Sequence, residues 1–118
     1  MFQVNGTTIT MSRGDTGSVT FRATGYTFGA EDRALFTVKS PEGTIVKQSA
    51  YPIDAEGVFT VSFLNAETDY LPPGSYSYDV RYVIAPLYDG EGNIVDGEQV
   101  MTPNRPMSLM LLNTVGNI

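Results

Sequence analysis

The chain has 118 residues, enough for one domain with a buried core and too few for two, so we expect a single domain over residues 1–118. It contains no cysteine and no histidine, which excludes disulfides, Cys-based zinc sites and Ser-His-Asp or Cys-His catalysis. Thirteen acidic and seven basic residues give a net charge of -6, which disfavours nucleic acid and anionic membranes as partners. We therefore expect a protein that is not an enzyme and has no cofactor or metal.

Short runs rich in β-branched and aromatic residues recur along the whole chain, separated by turn residues, and this pattern indicates an all-β fold. Alternation is clear where Val19, Phe21 and Ala23 occupy every second position, and again over 75–84, so these strands should each have one buried face. The predicted strands cover residues 7–11, 18–24, 34–39, 44–48, 58–64, 75–84, 98–101 and 107–112.

The first turn, S-R-G-D-T-G-S, contains Arg13, Gly14 and Asp15, the tripeptide that integrin-binding ligands display. Adhesion requires this tripeptide at the tip of a protruding loop, with the Arg and Asp side chains held apart. Here only about six residues join two predicted strands, a length that favours a tight turn with glycine at positive φ. We interpret Gly14 and Asp15 as structural turn residues, with adhesion through Arg13, Gly14 and Asp15 as the alternative.

A single helical turn is predicted near residues 66–70, because Asn65 is a capping type of residue and Pro72-Pro73 stop any helix. The segment G-S-Y-S-Y follows and places Tyr76 early in the longest predicted strand. In the tyrosine corner of immunoglobulin-like sandwiches, a tyrosine at this place bonds to the backbone just upstream. We interpret Gly74 and Tyr76 as such a corner; an ordinary core tyrosine is the alternative, and either role is structural.

The stretch A-P-L-Y-D-G-E-G-N-I-V-D-G, residues 85–97, predicts a loop or the tip of a hairpin because it is rich in Asp, Gly and Asn. Asp89, Glu91, Asn93 and Asp96 carry oxygens of the kind that bind calcium. A helix-flanked calcium loop, however, needs a fixed spacing that ends in a bidentate Glu, and here strands flank the segment. We predict a solvated turn and no metal site.

The last predicted strand, M-S-L-M-L-L, is more apolar than a half-exposed strand requires. Either both of its faces are covered within the protein, or one face meets a partner. We expect burial between two sheets and keep the alternative of an interface formed by the apolar residues of this run. These are Met107, Leu109, Met110, Leu111 and Leu112.

Seven or eight strands in a chain of this length predict two antiparallel sheets packed face to face as an immunoglobulin-like β-sandwich. A small closed barrel is the alternative. Neither architecture determines a function, because sandwiches serve as adhesins, receptors, carbohydrate-binding modules and parts of capsids or tails.

Three segments together resemble a known family: I-T-M-S-R-G-D-T-G-S-V-T-F-R-A-T, A-L-F-T-V-K-S-P and V-F-T-V-S-F-L-N-A-E-T-D-Y-L-P-P-G-S-Y-S-Y-D-V-R-Y. They resemble the N-terminal immunoglobulin-like domain of phage baseplate upper proteins and related prophage tail proteins. The resemblance extends over residues 7–83 and more loosely over the C-terminal strands. The matching residues are Gly14, Asp15, Leu71, Pro73, Gly74, Tyr76, Tyr78, Asp79 and Val80.

The resemblance implies a viral structural protein of a phage or prophage tail, assembled in the bacterial cytoplasm and acting through protein-protein contacts. Its partners would be other tail or baseplate proteins and copies of itself, forming a homo-oligomer in the assembly, with no nucleic acid and no membrane. The residues allow such contacts at exposed edge strands and at the apolar last strand.

A binding module for carbohydrate or for a host-cell surface is the alternative from another functional class. Sugar sites often use exposed aromatic rings, and five rings lie in predicted loops or near strand ends: Tyr26, Phe28, Tyr51, Tyr70 and Tyr88. Packing of these rings onto the core is the simpler interpretation. An enzyme would have to use a carboxylate pair such as Asp79 with Glu98, or the acidic loop, and ordinary surface charge explains these residues better.

Overall fold

The computed structural model describes residues 2–102 and 106–113. In these residues nine strands form two sheets packed face to face, and there is one short helix. The all-β sandwich predicted from the sequence is confirmed, with nine strands where seven or eight were expected. The elements are β1 Phe2–Asn5, β2 Thr8–Ser12, β3 Gly17–Arg22, β4 Arg33–Lys39, β5 Ile45–Pro52, β6 Val58–Phe63, α1 Asn65–Thr68, β7 Gly74–Tyr88, β8 Ile94–Met101 and β9 Met107–Leu112.

The larger sheet is organised around β7, a strand of 15 residues. One edge of β7 pairs with β4, and the other edge pairs first with β9 and then with β8. Along the sheet the order is β1-β2-β9-β7-β4-β5, with β8 beside the C-terminal half of β7. The pair β2–β9 is parallel, which corrects the prediction of a purely antiparallel sandwich.

The smaller sheet contains β3 and β6, which pair antiparallel and cover the centre of the larger sheet. The core is aromatic: Phe21 stacks on Phe59 with ring centroids 5.2 Å apart, and Phe36 lies 5.2 Å from Tyr78. Phe36 also meets Phe63 edge-on at 5.8 Å. Each such ring, when fully buried, contributes roughly 1.5–3 kcal/mol by removing apolar surface from water.

Three local predictions require correction. Strand β1 was not predicted, because F-Q-V-N is short and has one half-buried side chain, that of Phe2. Residues 85–97 form a hairpin, the second of the two predicted forms, but its strands are longer than predicted: β7 continues to Tyr88, β8 begins at Ile94, and only 89–93 form the turn. Helix α1 starts at Asn65, one residue before the predicted turn, and Asn65 does not cap it.

Candidate functional site: a hairpin arm and a basic sheet face

The turn at Arg13-Gly14-Asp15 is bonded to helix α1. The Gly14 N–H donates to the Thr68 hydroxyl at 2.8 Å, and the Asn65 side-chain amide donates to the Gly14 carbonyl at 2.8 Å. Gly14 has φ +81°, and an added Cβ would lie 2.9 Å from the Asn65 side-chain nitrogen. The turn therefore needs glycine for both conformation and space.

The charged residues of this turn are also engaged within the molecule. The Asp15 carboxylate accepts a hydrogen bond from the Ser12 N–H at 2.9 Å, and an Arg13 guanidinium nitrogen donates to the Leu71 carbonyl at 3.3 Å. Partial burial acts to raise the pKa of Asp15, but hydrogen bonding to its ionised form, including the Ser12 bond, lowers that pKa further than burial raises it. The tripeptide thus joins β2, β3 and α1 and does not form the tip of a protruding loop.

Tyr76 makes the contact that characterises a tyrosine corner. Its hydroxyl donates to the Pro72 carbonyl at 2.7 Å, and the ring is buried. Burial raises the pKa of Tyr76 above its ordinary value, with the charge of Glu42 and the neighbouring Tyr70 adding to the effect. Gly74, with φ +152°, begins β7 immediately before the corner.

The last strand divides its apolar residues between two faces. Leu109 and Leu111 are 2% and 1% exposed and belong to the core, so neither is available to a partner. Met107 packs partly against the core, and Met110 is half-buried beside Ser75 on the opposite face. Within this strand only Leu112, which is 38% exposed, remains as an apolar surface residue.

Three exposed apolar side chains lie instead on a hairpin formed by the end of β7, the turn 89–93 and the start of β8. We call residues 85–98 the arm. Its side chains Leu87, Tyr88 and Val95 are 59%, 50% and 64% exposed. Asp89, Glu91, Asp96 and Glu98 are also exposed, and no Lys or Arg occurs between Arg81 and Arg105. The arm therefore combines exposed apolar side chains with negative charge.

The base of the arm is held by a buried carboxylate. Ala85 has φ 47°, the left-handed conformation that side chains other than glycine rarely adopt. Its N–H donates to Asp32 Oδ1 at 3.1 Å, while Asp32 Oδ2 accepts from the Gly29 N–H at 2.8 Å. Asp32 is 6% exposed, so its carboxylate fixes the loop before β4 to the point where the arm leaves the sandwich.

The tip of the arm is a self-capped turn. Asp89 Oδ1 accepts hydrogen bonds from the N–H groups of Asn93 and Glu91, both at 2.9 Å. These bonds, the one from Asn93 first, lower the pKa of Asp89. In the part of the chain that the structure describes, no group of three or more carboxylates is placed to hold a metal ion. Asp89 orders the turn for the strands on either side of it.

A second surface lies on the outer face of the larger sheet, the face turned away from β3 and β6. Cross-strand register puts Arg33 opposite Val83, Leu35 opposite Arg81, and Lys39 opposite Ser77 on this face. Ile45, 50% exposed, is paired with Lys39 in the neighbouring strand. We call Arg33, Leu35, Lys39, Ile45 and Arg81 the basic face; it holds three of the seven basic residues of an acidic chain.

The basic face is concave. Two adjoining hollows of about 380 and 100 Å³ share Leu35, Gln48 and Arg81 as lining residues. Val83 is 2% exposed at the floor of the larger hollow, and an added Cβ on Gly97 would lie 2.5 Å from its side chain. Ile94, Val95 and Asp96 of the arm also line that hollow. Asp79 is the acidic residue on the floor of the smaller one.

The five aromatic rings considered for sugar binding do not form one platform. Phe28 is 4% exposed and packs against Tyr82 at 5.4 Å, and Tyr51 is half-buried. The exposed rings lie on separate parts of the fold: Tyr26 after β3, Tyr70 after α1, and Tyr88 in the arm.

The carboxylate pair considered for catalysis is not brought together. Asp79 lies on the outer face of β7. Glu98 is level with Ala85, because its neighbours Gln99 and Gly97 pair with Ile84 and Pro86. Asp79 and Ala85 are six residues apart along β7, or roughly 20 Å at about 3.3 Å per residue. The two groups cannot share a proton or a substrate at that separation.

No helix in residues 2–102 and 106–113 is long and apolar enough to cross a membrane. Comparison with protein-family models and with curated proteins found no match to the chain.

Proposed function

We propose that this protein is a non-enzymatic assembly module of a phage or prophage tail, baseplate-like in its role, which acts through protein-protein contacts. The observation that carries the proposal is the presence of two unlike exposed surfaces on one sandwich, the apolar and acidic arm and the basic face. Exposed apolar side chains together with charge of one sign are typical of a site that meets another protein.

The sequence resemblance to tail proteins supports the tail as the setting. Three of the residues that match the family have structural roles in this fold. Gly14 and Asp15 form the turn that contacts α1, and Tyr76, near the start of β7, makes the corner bond to Pro72. These contacts stabilise a scaffold and leave the arm and the basic face to make contacts. A rigid scaffold with variable surface elements is the usual arrangement in binding and assembly domains.

The proposal is tested by looking for the chain in particles. Phage or prophage particles from the source bacterium would be induced, purified on a density gradient and analysed by quantitative mass spectrometry. We expect the chain at a fixed copy number relative to the other tail proteins, retained through the purification. Its absence from intact particles, with the protein abundant in the lysate, would contradict the proposal.

A further inference from the structure

We propose that the arm of one copy docks on the basic face of a second copy, so that identical chains join head to tail. The inference rests on the proposed function in taking the chain as an assembly module, and it goes beyond it by naming the contact and the partner.

The first observation is that the tip of the arm lies far from the basic face of its own copy. Asp89 lies eight residues beyond Arg81 along β7, or roughly 25 Å at about 3.3 Å per residue. Electrostatic screening at physiological salt acts over about 8 Å, so Arg81 and the more distant Lys39 have little influence on the tip. Arg33, which is opposite Val83, is nearer, but six residues of β7 still separate that level from Asp89, or roughly 20 Å. The basic face of the same copy therefore contributes little to the potential at the tip.

The second observation is that this chain itself offers a matching surface. Arg81 and Leu35 line both hollows of the outer face, and Lys39 and Ile45 line the smaller one. Asp79 and Asp96 each line one of them, so with Arg33 the face carries three basic groups against two acidic ones. The side-chain nitrogens of Lys39 and Arg81 make no ion pair in the part of the chain that the structure describes. Opposite charge on two surfaces steers association and selects the orientation, while apolar side chains provide most of the affinity.

The third observation concerns symmetry. The tip side of the arm, with Leu87, Tyr88 and Asp89, lines neither hollow of the basic face, so a contact between this part and the face is heterologous. A dimer formed in this way still carries one free arm and one free face. Such contacts produce closed rings or open filaments according to the rotation between neighbours. We therefore expect a series of oligomers, and not a dimer that stops growing.

The experiment uses two variants of the full chain. The arm variant carries Leu87→Ser and Tyr88→Ser, two exposed residues that line neither hollow, and the face variant carries Lys39→Glu and Arg81→Glu. Sedimentation velocity over a wide concentration range should show oligomers for the natural chain and monomers for each variant alone. A mixture of the two variants should give a 1:1 heterodimer and nothing larger, because only one productive arm and one productive face remain.

Two controls show whether a loss of assembly comes from the lost contact, from a change in net charge or from unfolding of the variant. Glu56→Lys changes an exposed acidic residue in the turn between β5 and β6, outside the arm and the basic face as defined, and should assemble like the natural chain. Circular dichroism and thermal melting of every variant show whether the sandwich is intact. If the face variant folds and still assembles like the natural chain, the inference is wrong.

The outcomes also separate this inference from the proposed function. A natural chain that stays monomeric at every concentration, but is present in purified particles, overturns the head-to-tail contact and leaves the tail role standing. A chain that assembles through the arm, but is absent from particles, retains the contact and removes the tail role.

Discussion

Two buried side chains, those of Tyr76 and Asp32, each connect two segments of this fold through a hydrogen bond to a backbone group. Leaving a buried backbone group without a partner costs more than the bond itself contributes, because the group has lost its water. These residues are therefore more important for folding than their number of contacts suggests.

Tyr76→Phe tests the corner. The substitution keeps the buried ring and removes the hydroxyl that bonds Pro72, so we expect a loss of about 1–2 kcal/mol in the free energy of unfolding. Urea denaturation followed by circular dichroism measures it. The matched control is Tyr70→Phe, since Tyr70 is 65% exposed, and it should change stability by less than about 0.5 kcal/mol. Equal effects for the two substitutions would show that the corner bond has no special role.

The partly buried ion pair of Lys47 with Glu67 gives a second prediction: substituting Glu67 should destabilise the fold more than substituting Lys47. Lys47 Nζ lies 2.6 Å from Glu67 Oε2 and 5.3 Å from the Phe63 ring centre, and its side chain is 5% exposed against 27% for Glu67. Glu67→Gln leaves a buried ammonium group without a counter-charge, which should cost about 2–3 kcal/mol after allowance for partial hydration. Lys47→Met removes that charge and should cost less than about 1 kcal/mol.

Chemical denaturation of both variants and of the double variant checks this order. The double variant should recover most of the stability lost in Glu67→Gln, because no buried charge remains. Lys47→Met proving more destabilising than Glu67→Gln would contradict the expectation.

At the scale of elements, the arm is the part of the chain that sequence analysis described least well. Asp, Gly and Asn dominate residues 85–97, and this composition predicts loop, yet strand pairing extends to Tyr88 and Ile94. Pairing overrides local preference here because Asp32 fixes the base and Asp89 orders the turn. The apolar pairs Leu87-Tyr88 and Ile94-Val95 were the evidence for strands in this segment of the sequence. They are too short to predict strands among so many turn residues.

Ala85→Gly tests the strained base of the arm. Glycine adopts the left-handed conformation at no steric cost, and an alanine there is strained by about 1 kcal/mol, so the substitution should leave stability unchanged or slightly raised. The control is Ala50→Gly in β5, where the backbone is extended and glycine should cost about 0.5–1 kcal/mol. Thermal melting of the two variants compares them. A clear loss in Ala85→Gly would mean that the arm base is not strained.

At the scale of the whole molecule, sequence analysis succeeded where a signal is local and failed where it is not. Alternation over 75–84 and the position of Tyr76 were sufficient to predict a sandwich with a corner. The basic face was not predictable, because Lys39, Arg81 and Ile45 come together only through the pairing of three strands. The parallel pair β2–β9 likewise depends on residues at opposite ends of the sequence.

The buried tyrosines predict how the whole fold responds to alkali. Burial raises the pKa of Tyr78 and of Tyr82, so the core favours their neutral form. Their contribution to stability is complete below about pH 10, where unfolded tyrosine ionises, and is lost as pH rises through the higher folded values. Alkaline titration should show phenolate absorbance increasing together with loss of the β-sheet circular dichroism.

The control for this titration is Tyr82→Phe, which removes one ionising group and keeps the ring. Its unfolding should move to higher pH than that of the natural chain. An unfolding transition well below pH 10, or one unmoved by the substitution, would show that tyrosine ionisation does not drive it.

The parallel pairing of β2 with β9 has a consequence for how the molecule forms. Ile9 lies beside Leu109, so this part of the sheet closes a loop of most of the chain. Contacts between residues so far apart in sequence slow folding, because the entropy of loop closure is lost before the contact is gained. During synthesis β2 emerges before β9 and has no partner on that side until β9 has been made. The side chains of Ile9 and Met11, buried in the finished fold, stay exposed over that interval and are open to aggregation or to binding by a chaperone.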